Sequence, residues 1–407
     1  MTENKHKIMP VLLGGDLNAY SVALSFYEAY GVTSHAFVRY RCGATENSKF
    51  IKTHICSGID DLSVAIPELL KFAAEHPHRE LYLIPCADWY VSMLEAAGGA
   101  LSAIYEVCIP DRRHFSMLSD KLRFYNFMEQ AGIKYPEYES FGPEENISDE
   151  KLSRFTYPAV IKPSDSTEYW KNPFPDMKKV YFPKNKSESE AVIKRILDSG
   201  YAKRVILQRL IAPARHGVLT TLSTADGRVV RAVRGDVIMQ QTGRTSYGNH
   251  AAIIIRALDG ISYQLIKFLN GISYVGIANI DLISDADVTY ALEVNLRQGR
   301  SSDYLRSAGV SLAEYLVKFS RGENITPDFS YKEAYWHYPR HSDVRKYSSP
   351  ADVIRADRLI AEGKAFSPYG NSYDGVKRKI YAVLHSLRLS EALRSDAEYQ
   401  GGKGNGK

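Results

Sequence analysis

The chain has 407 residues, a formal net charge of +5, and 44% hydrophobic and 24% charged residues. These are the proportions of a water-soluble globular protein with room for two or three packed domains. No Lys/Arg block is dense enough to argue for nucleic acid, and no apolar run of ~18 residues could span a membrane. The mild positive charge fits an anionic ligand. Residues 1–7 are polar and lead straight into a strand, unlike a signal peptide. The cysteines, Cys42, Cys56, Cys86 and Cys108, lack metal-ligand spacing and read as small buried thiols in a reducing compartment. A cytoplasmic location is expected.

Residues 1–115 alternate strand and helix signals. Ile8–Leu13, His35–Tyr40, Leu81–Pro85 and Ile104–Ile109 read as strands. Helices are predicted over 17–30, closed by Gly31, and over 62–75 and 89–97. This rhythm predicts a mostly parallel sheet. Gly14-Gly15-Asp16 lacks the third glycine of a dinucleotide fingerprint, so it reads as a tight turn with Asp16 or Asn18 capping the helix.

Residues 116–140 predict one helix, capped by Ser119 or Asp120, with Phe124, Phe127 and Met128 buried and Gly132 as its stop. Taken alone, Lys121 is a solvated lysine in its first turn. Phe155–Pro163 reads as a buried strand ending in Lys162, which needs an anionic partner or a route to water. A helix over 187–199 and a strand over 204–211 follow. Val218–Ser223 and Arg228–Val233 flank the hairpin signal Ala225-Asp226-Gly227, and residues 240–250 form a glycine-punctuated loop or lid. A helix spans 259–271.

Residues 275–302 read as a β-hairpin turning at Ser284-Asp285-Ala286-Asp287. Strand alternation puts Glu293, Asn295 and Arg297 on one face, and a turn centred near Ala286 or Asp287 pairs Asp281 with Glu293. Two carboxylates roughly 5 Å apart repel, and a divalent cation turns that repulsion into attraction. Asp281, Glu293 and the Asn295 amide oxygen form a donor set suited to magnesium, with Arg297 and Arg300 placed for phosphate. On the hairpin alone, a wetted sheet face and a metal site both stay open. Residues 303–320 predict a helix. The segment 331–396 is basic and aromatic, with helices near 351–362 and 375–394, and 401–407 is a glycine-rich end.

Asp281 followed by Glu293-x-Asn295-x-Arg297 resembles the ATP-grasp ligases. The longer string Gly276-Ile-Ala-Asn-Ile-Asp281, then Glu293-Val-Asn-Leu-Arg-Gln-Gly-Arg-Ser301, resembles their carboxylate–amine branch, which includes D-aspartate ligases of peptidoglycan synthesis. The resemblance implies a mixed α/β and α+β chain in which an ATP-grasp fold follows a small parallel α/β domain. On it, residues 1–115 form the pre-ATP-grasp domain and 116–330 the ATP-grasp domain, with subdomains about 116–208 and 212–330. Residues 331–400 then form a C-terminal helical extension, and 401–407 a flexible tail.

The resemblance also implies site roles. Lys121 and Lys162 approach ATP phosphates, and backbone near Gln208, Arg209, Leu210 and Ile211 meets adenine. Many members have a glycine-rich loop over the phosphates, but residues 164–182 contain no glycine. Hydroxyls of Ser164, Ser166 and Thr167, with Lys178 or Lys179, stand in for it. The acidic residues that often hold ribose are replaced by Ala212-Pro-Ala-Arg-His216, so that contact does not transfer. Asp281, Glu293 and Asn295 hold magnesium, with manganese as an alternative. Arg297 meets the γ-phosphate and acyl phosphate. Arg300, Ser301 and Ser302 hold the amino-acid carboxylate, while Asp16, Asn18, Asn249 and His250 face the substrates. The implied partners are an amino acid and an amine acceptor, such as a UDP-linked muropeptide; a homodimer stays open. The alternatives are a ligase of small metabolites, or a nucleotide-binding protein without catalysis.

Overall fold

In a computed structural model, residues 7–212, 214–243 and 246–402 are described, with side chains described to Arg394. The polar leader 1–6, two residues of the 240–250 loop and the end of the tail lie outside them. The first sheet is five-stranded and fully parallel, from β1 (Ile8–Leu13), β2 (Ser34–Val38), β3 (Ile51–Ile55), β4 (Glu80–Pro85) and β5 (Tyr105–Val107). Its order is β3-β2-β1-β4-β5, so the chain reverses direction across the sheet between β1 and β4. Open α/β sheets bind ligands at such a switch point, beyond the carboxyl ends of the strands. Gly14 and Cys86 follow those two ends. Helix Leu17–Tyr30 starts there, with Asp16 accepting from the Asn18 and Ala19 amides, and Gly31 in left-handed conformation (φ 69°) ends it.

The second sheet is antiparallel, ordered β6 (Tyr138–Phe141), β8 (Val205–Gln208), β7 (Val160–Pro163). The third has seven strands. Its centre is β9 (Arg215–Ser223), β10 (Val229–Gln240) and β11 (His250–Arg256), flanked on one side by β12 (Gly276–Ser284) and β13 (Thr289–Asn295). On the other side lie β14 (Tyr335–His337) and β15 (Ala365–Phe366), two short strands within a segment that is otherwise helical as predicted, at His341–Tyr347, Pro350–Ala361 and from Val376 onward. Trp336 and Tyr335 are fully buried there, which explains the dense aromatic run: it is sheet core.

Several elements differ from the sequence reading. Strand β3 has alternating Lys52, Thr53 and His54 and no long apolar run, so periodicity misses it. The predicted helix capped at Asp120 is present as Lys121–Gln130, and a short helix that the sequence reading did not expect, Arg112–Leu118, precedes it. The predicted helix over 303–320 is two, Tyr304–Ser307 and Leu312–Ser320, split by Gly309 (φ 79°) and re-nucleated by the Ser311 cap. The last helix, Val376–Gly402, takes in residues 401 and 402 of the predicted tail. Of the cysteines, only Cys86 is fully buried; the other three are half-buried, and all four are unpaired.

One core joins the N-terminal sheet to the rest. Leu24 and Phe26 share it with Leu312 and Leu316. Ser25 accepts from the Ala313 amide at 3.0 Å, so the two halves meet as a sealed face. Among the described residues, no helix is long and apolar enough to cross a membrane.

Candidate active site

The hairpin β12–β13 builds the site. Asp285 makes its turn by accepting from the Asp287 and Val288 amides, and Asp281 pairs directly with Glu293. The register shifts just after that pair, so Leu292 is an extra residue and the carboxylates keep one face. Both line a cleft of about 750 Å³ between the first and third sheets, with Asn279, Asn295, Arg297 and Arg300.

Three lysines gather around Glu293. Lys121 heads its helix, and its Nζ lies 2.9 Å from the Glu293 carboxylate and 3.4 Å from the Ser166 hydroxyl. Lys162, at 7% exposure, is led in by β7 and donates to the Tyr125 hydroxyl at 3.0 Å. Burial drives the Lys162 ammonium down to about 7, although Glu293 pulls it upward. Burial also pulls Lys121 down, but Glu293 outweighs it and holds the lysine above its usual range. For Glu293 burial pushes upward; Lys121, Lys162 and Lys179 together win and hold it well below the usual carboxylate range. Asp281 receives less of that cation field: burial, and then Glu293 itself, push it up to about 8. The site thus holds a fixed anion, a second carboxylate and convergent ammonium groups.

The donor set fits a hard cation. Asp281 and Glu293 offer carboxylate oxygens that repel each other, and the Asn295 amide nitrogen donates to the Asn279 carbonyl at 3.4 Å, leaving the oxygen end as a ligand. His250 lies 3.7 Å from Asp281, and burial lowers its imidazole to about 3, so it stands neutral beside that oxygen.

A smaller cavity of about 200 Å³ continues from the cleft behind Lys162. Gln208, Arg209, Leu210, Ile211, Val160, Phe182 and Leu292 are among its lining residues, and the Gln208 amide donates to Tyr125. The Arg209 amide nitrogen is committed to the Glu137 carbonyl at 2.9 Å, which removes it as an adenine contact. The glycine-free segment contributes Phe182, packed edge-on at 5.4 Å against Tyr247 of the 240–250 loop. That loop is the tip of the β10–β11 hairpin, pinned by reciprocal backbone bonds between Gln241 and residues 248 and 249.

Other predicted residues fall elsewhere. Ser164 is 1% exposed and lies outside the cleft lining, its backbone tied to Lys121 and Arg204; Ser166, Thr167 and Lys179 are the cleft-facing members of that stretch. Asn18 is fully buried and donates to the Cys86 and Gln298 carbonyls, so it ties the two sheets together and does not face substrate. Asp16 does line the cleft, 3.7 Å from Arg300. Asn249 donates to Gln241, which also accepts from Arg300. Ser301 reaches the cleft, whereas the Ser302 hydroxyl is buried outside it.

Strand β13 ends at Asn295, so alternation does not place Arg297. Its guanidinium turns to the first sheet and pairs with Asp88 at 2.7 Å. Arg300 lies over the Tyr338 ring at 5.4 Å. Tyr125, Gln241 and Tyr338 gave no local sequence signal. Asp88 alone had a clue, its place just past a strand end.

Comparison with known proteins gives a consistent picture. Residues 118–301 match the model of the ATP-grasp domain. The chain is similar to the D-aspartate ligase of Enterococcus faecium (strain Aus0004), 31% identical over 322 residues, covering 77% of this chain and 76% of that protein. The fold resembles the biotin carboxylase domain of Hydrogenobacter thermophilus 2-oxoglutarate carboxylase, solved with MgADP (TM-score 0.61, 15% identity, 80% of this chain and 73% of that one). It also resembles the L-amino acid ligase of Bacillus licheniformis (TM-score 0.53, 16% identity, 79% and 77%).

Proposed function

The chain belongs to the ATP-grasp family of carboxylate–amine ligases, and we propose that it joins an amino acid such as D-aspartate to the side-chain amine of a peptidoglycan precursor. It is an ATP-dependent ligase forming C–N bonds. The observation that carries the reading is the convergence of Asp281, Glu293 and Asn295 with Lys121, Lys162 and Lys179 around one cleft.

A carboxylate at neutral pH needs a better leaving group than oxide. Its oxygen attacks the γ-phosphorus of ATP, ADP leaves, and the amine, once its ammonium form has released a proton to solvent, attacks the acyl phosphate and expels inorganic phosphate. Such transfer asks the protein for position and charge neutralisation. Lys121 and Lys162 neutralise phosphate oxygens, and a polyphosphate beside Lys162 keeps its ammonium protonated despite burial. The cavity between Phe182 and Gln208–Ile211 is the place for adenine. Arg297 meets the charge developing on the transferred phosphoryl group, and Arg300 with Ser301 holds the amino-acid carboxylate. Asp281, Glu293 and Asn295 would hold Mg2+, or Mn2+ in its place. That ion supplies further neutralisation of phosphate charge.

The test offers the protein ATP, Mg2+, a panel of D- and L-amino acids and a UDP-linked muropeptide, read by mass spectrometry. The expected result is a muropeptide heavier by one amino-acid residue, with ADP released only when both substrates are present. Glu293→Gln is expected to slow ADP release by about 100-fold or more. No mass gain on the muropeptide overturns the cell-wall reading, and equal turnover by Glu293→Gln overturns the metal assignment.

A further inference from the structure

The phosphoryl chemistry above has no use for Asp88, yet this acid holds the arginine that chemistry needs. Arg297 Nη2 donates to Asp88 Oδ2 at 2.7 Å, and Nη1 donates to the Gln298 carbonyl at 2.7 Å. Both terminal nitrogens are therefore engaged away from Asp281 and Glu293. Asp88 follows β4 and Asp16 follows β1, the two strands whose ends border the switch point. They differ in what else they do. Asp16 is spent capping its helix, whereas the helix Asp88–Ala97 has Ala87 at its cap position and takes no side-chain cap bond. The Asp88 carboxylate thus makes no cap bond to its own helix. It is also 46% exposed to the cleft, against 12% for the Arg297 side chain, so a ligand reaches the acid before the base.

We propose that Asp88 is a positioning residue that latches Arg297 onto the first sheet, and that the ammonium group of the incoming amine substrate opens the latch by taking the carboxylate. Arg297 then turns to the phosphates, so phosphoryl transfer waits for the acceptor. The role rests on the ligase reading, but its first test does not.

That test is the affinity for a non-hydrolysable ATP analogue with Mg2+, by calorimetry, for wild type, Asp88→Asn, Asp88→Glu, Arg297→Ala and the Asp88→Asn/Arg297→Ala double variant. Asp88→Asn is expected to bind at least about threefold tighter, Asp88→Glu to match wild type, and the gain to vanish without Arg297. No tightening, or the same tightening in the Arg297→Ala background, overturns the latch. In turnover with D-aspartate and the UDP-linked muropeptide, Asp88→Asn is expected to release ADP without the amine at least about fivefold faster than wild type, and to raise the KM for the amine. An unchanged amine KM overturns the ammonium exchange. A wild type that binds the analogue but turns over no substrate pair overturns the ligase reading, and the binding cycle still decides the latch.

Discussion

At the scale of single residues, burial sets charge more strongly than residue type does. Lys121 and Lys162 are the same amino acid in one site, yet the first is held above its usual range by an ion pair 2.9 Å long and the second is pushed down to about 7. The same rule acts outside the site. His35, buried on β2, stacks on His54 with ring nitrogens 2.9 Å apart. Burial, and then His54, lower His35 to about 4. A histidine whose folded pKa lies below its unfolded value of about 6.5 adds stability that is complete above 6.5. That stability drains away as pH falls toward 4, because the unfolded chain takes up the proton first. The His35 contribution, read as the melting temperature of wild type minus that of His35→Gln, is therefore expected to be constant from pH 8 to 7 and to fall between pH 6.5 and 4.

At the scale of elements, the hairpins depend on a few turn residues. Gly227 closes β9–β10 at φ 78°, and a Cβ there would meet the Ser273 backbone at 2.5 Å. Gly227→Ala thus pays twice, in backbone strain and in a clash with an atom that cannot swing aside. A loss of about 2 kcal/mol is expected by urea unfolding, read as a lower midpoint at unchanged slope. The Asp281–Glu293 pairing could be read from the sequence, because alternation and a turn signal fix a two-strand register. The extra residue Leu292 could not, since a bulge leaves no local pattern. Helix ends were legible where a side chain or glycine does the capping, as at Asp16, Asp120 and Gly31. They were missed where two short helices share one apolar stripe, as in 303–320.

At the scale of the whole molecule, the C-terminal helix is stitched to the N-terminal sheet by one buried cation. Arg378, 1% exposed, donates to the Gly43 and Ala44 carbonyls at 2.6 Å each, with its guanidinium over Tyr20 and Tyr369. Arg378→Ala leaves two carbonyls without that donor and a void among the rings. A loss of about 3 kcal/mol is expected, read as a lower melting temperature by calorimetry. The sequence by itself determined the hairpin and the parallel sheet, because each is written in periodicity or spacing within one or two elements, whereas the metal-suited oxygens and the two lysines were picked out by resemblance to the ATP-grasp ligases. Only the tertiary structure decided that Tyr335–His337 and Ala365–Phe366 add two strands to the third sheet and that Asn18 is a tie between sheets. It alone turned Arg297 toward Asp88. The last two outcomes depend on partners 280 and 209 residues away in the chain, and a contact across that distance is selected by packing of whole sheets, which no local pattern encodes.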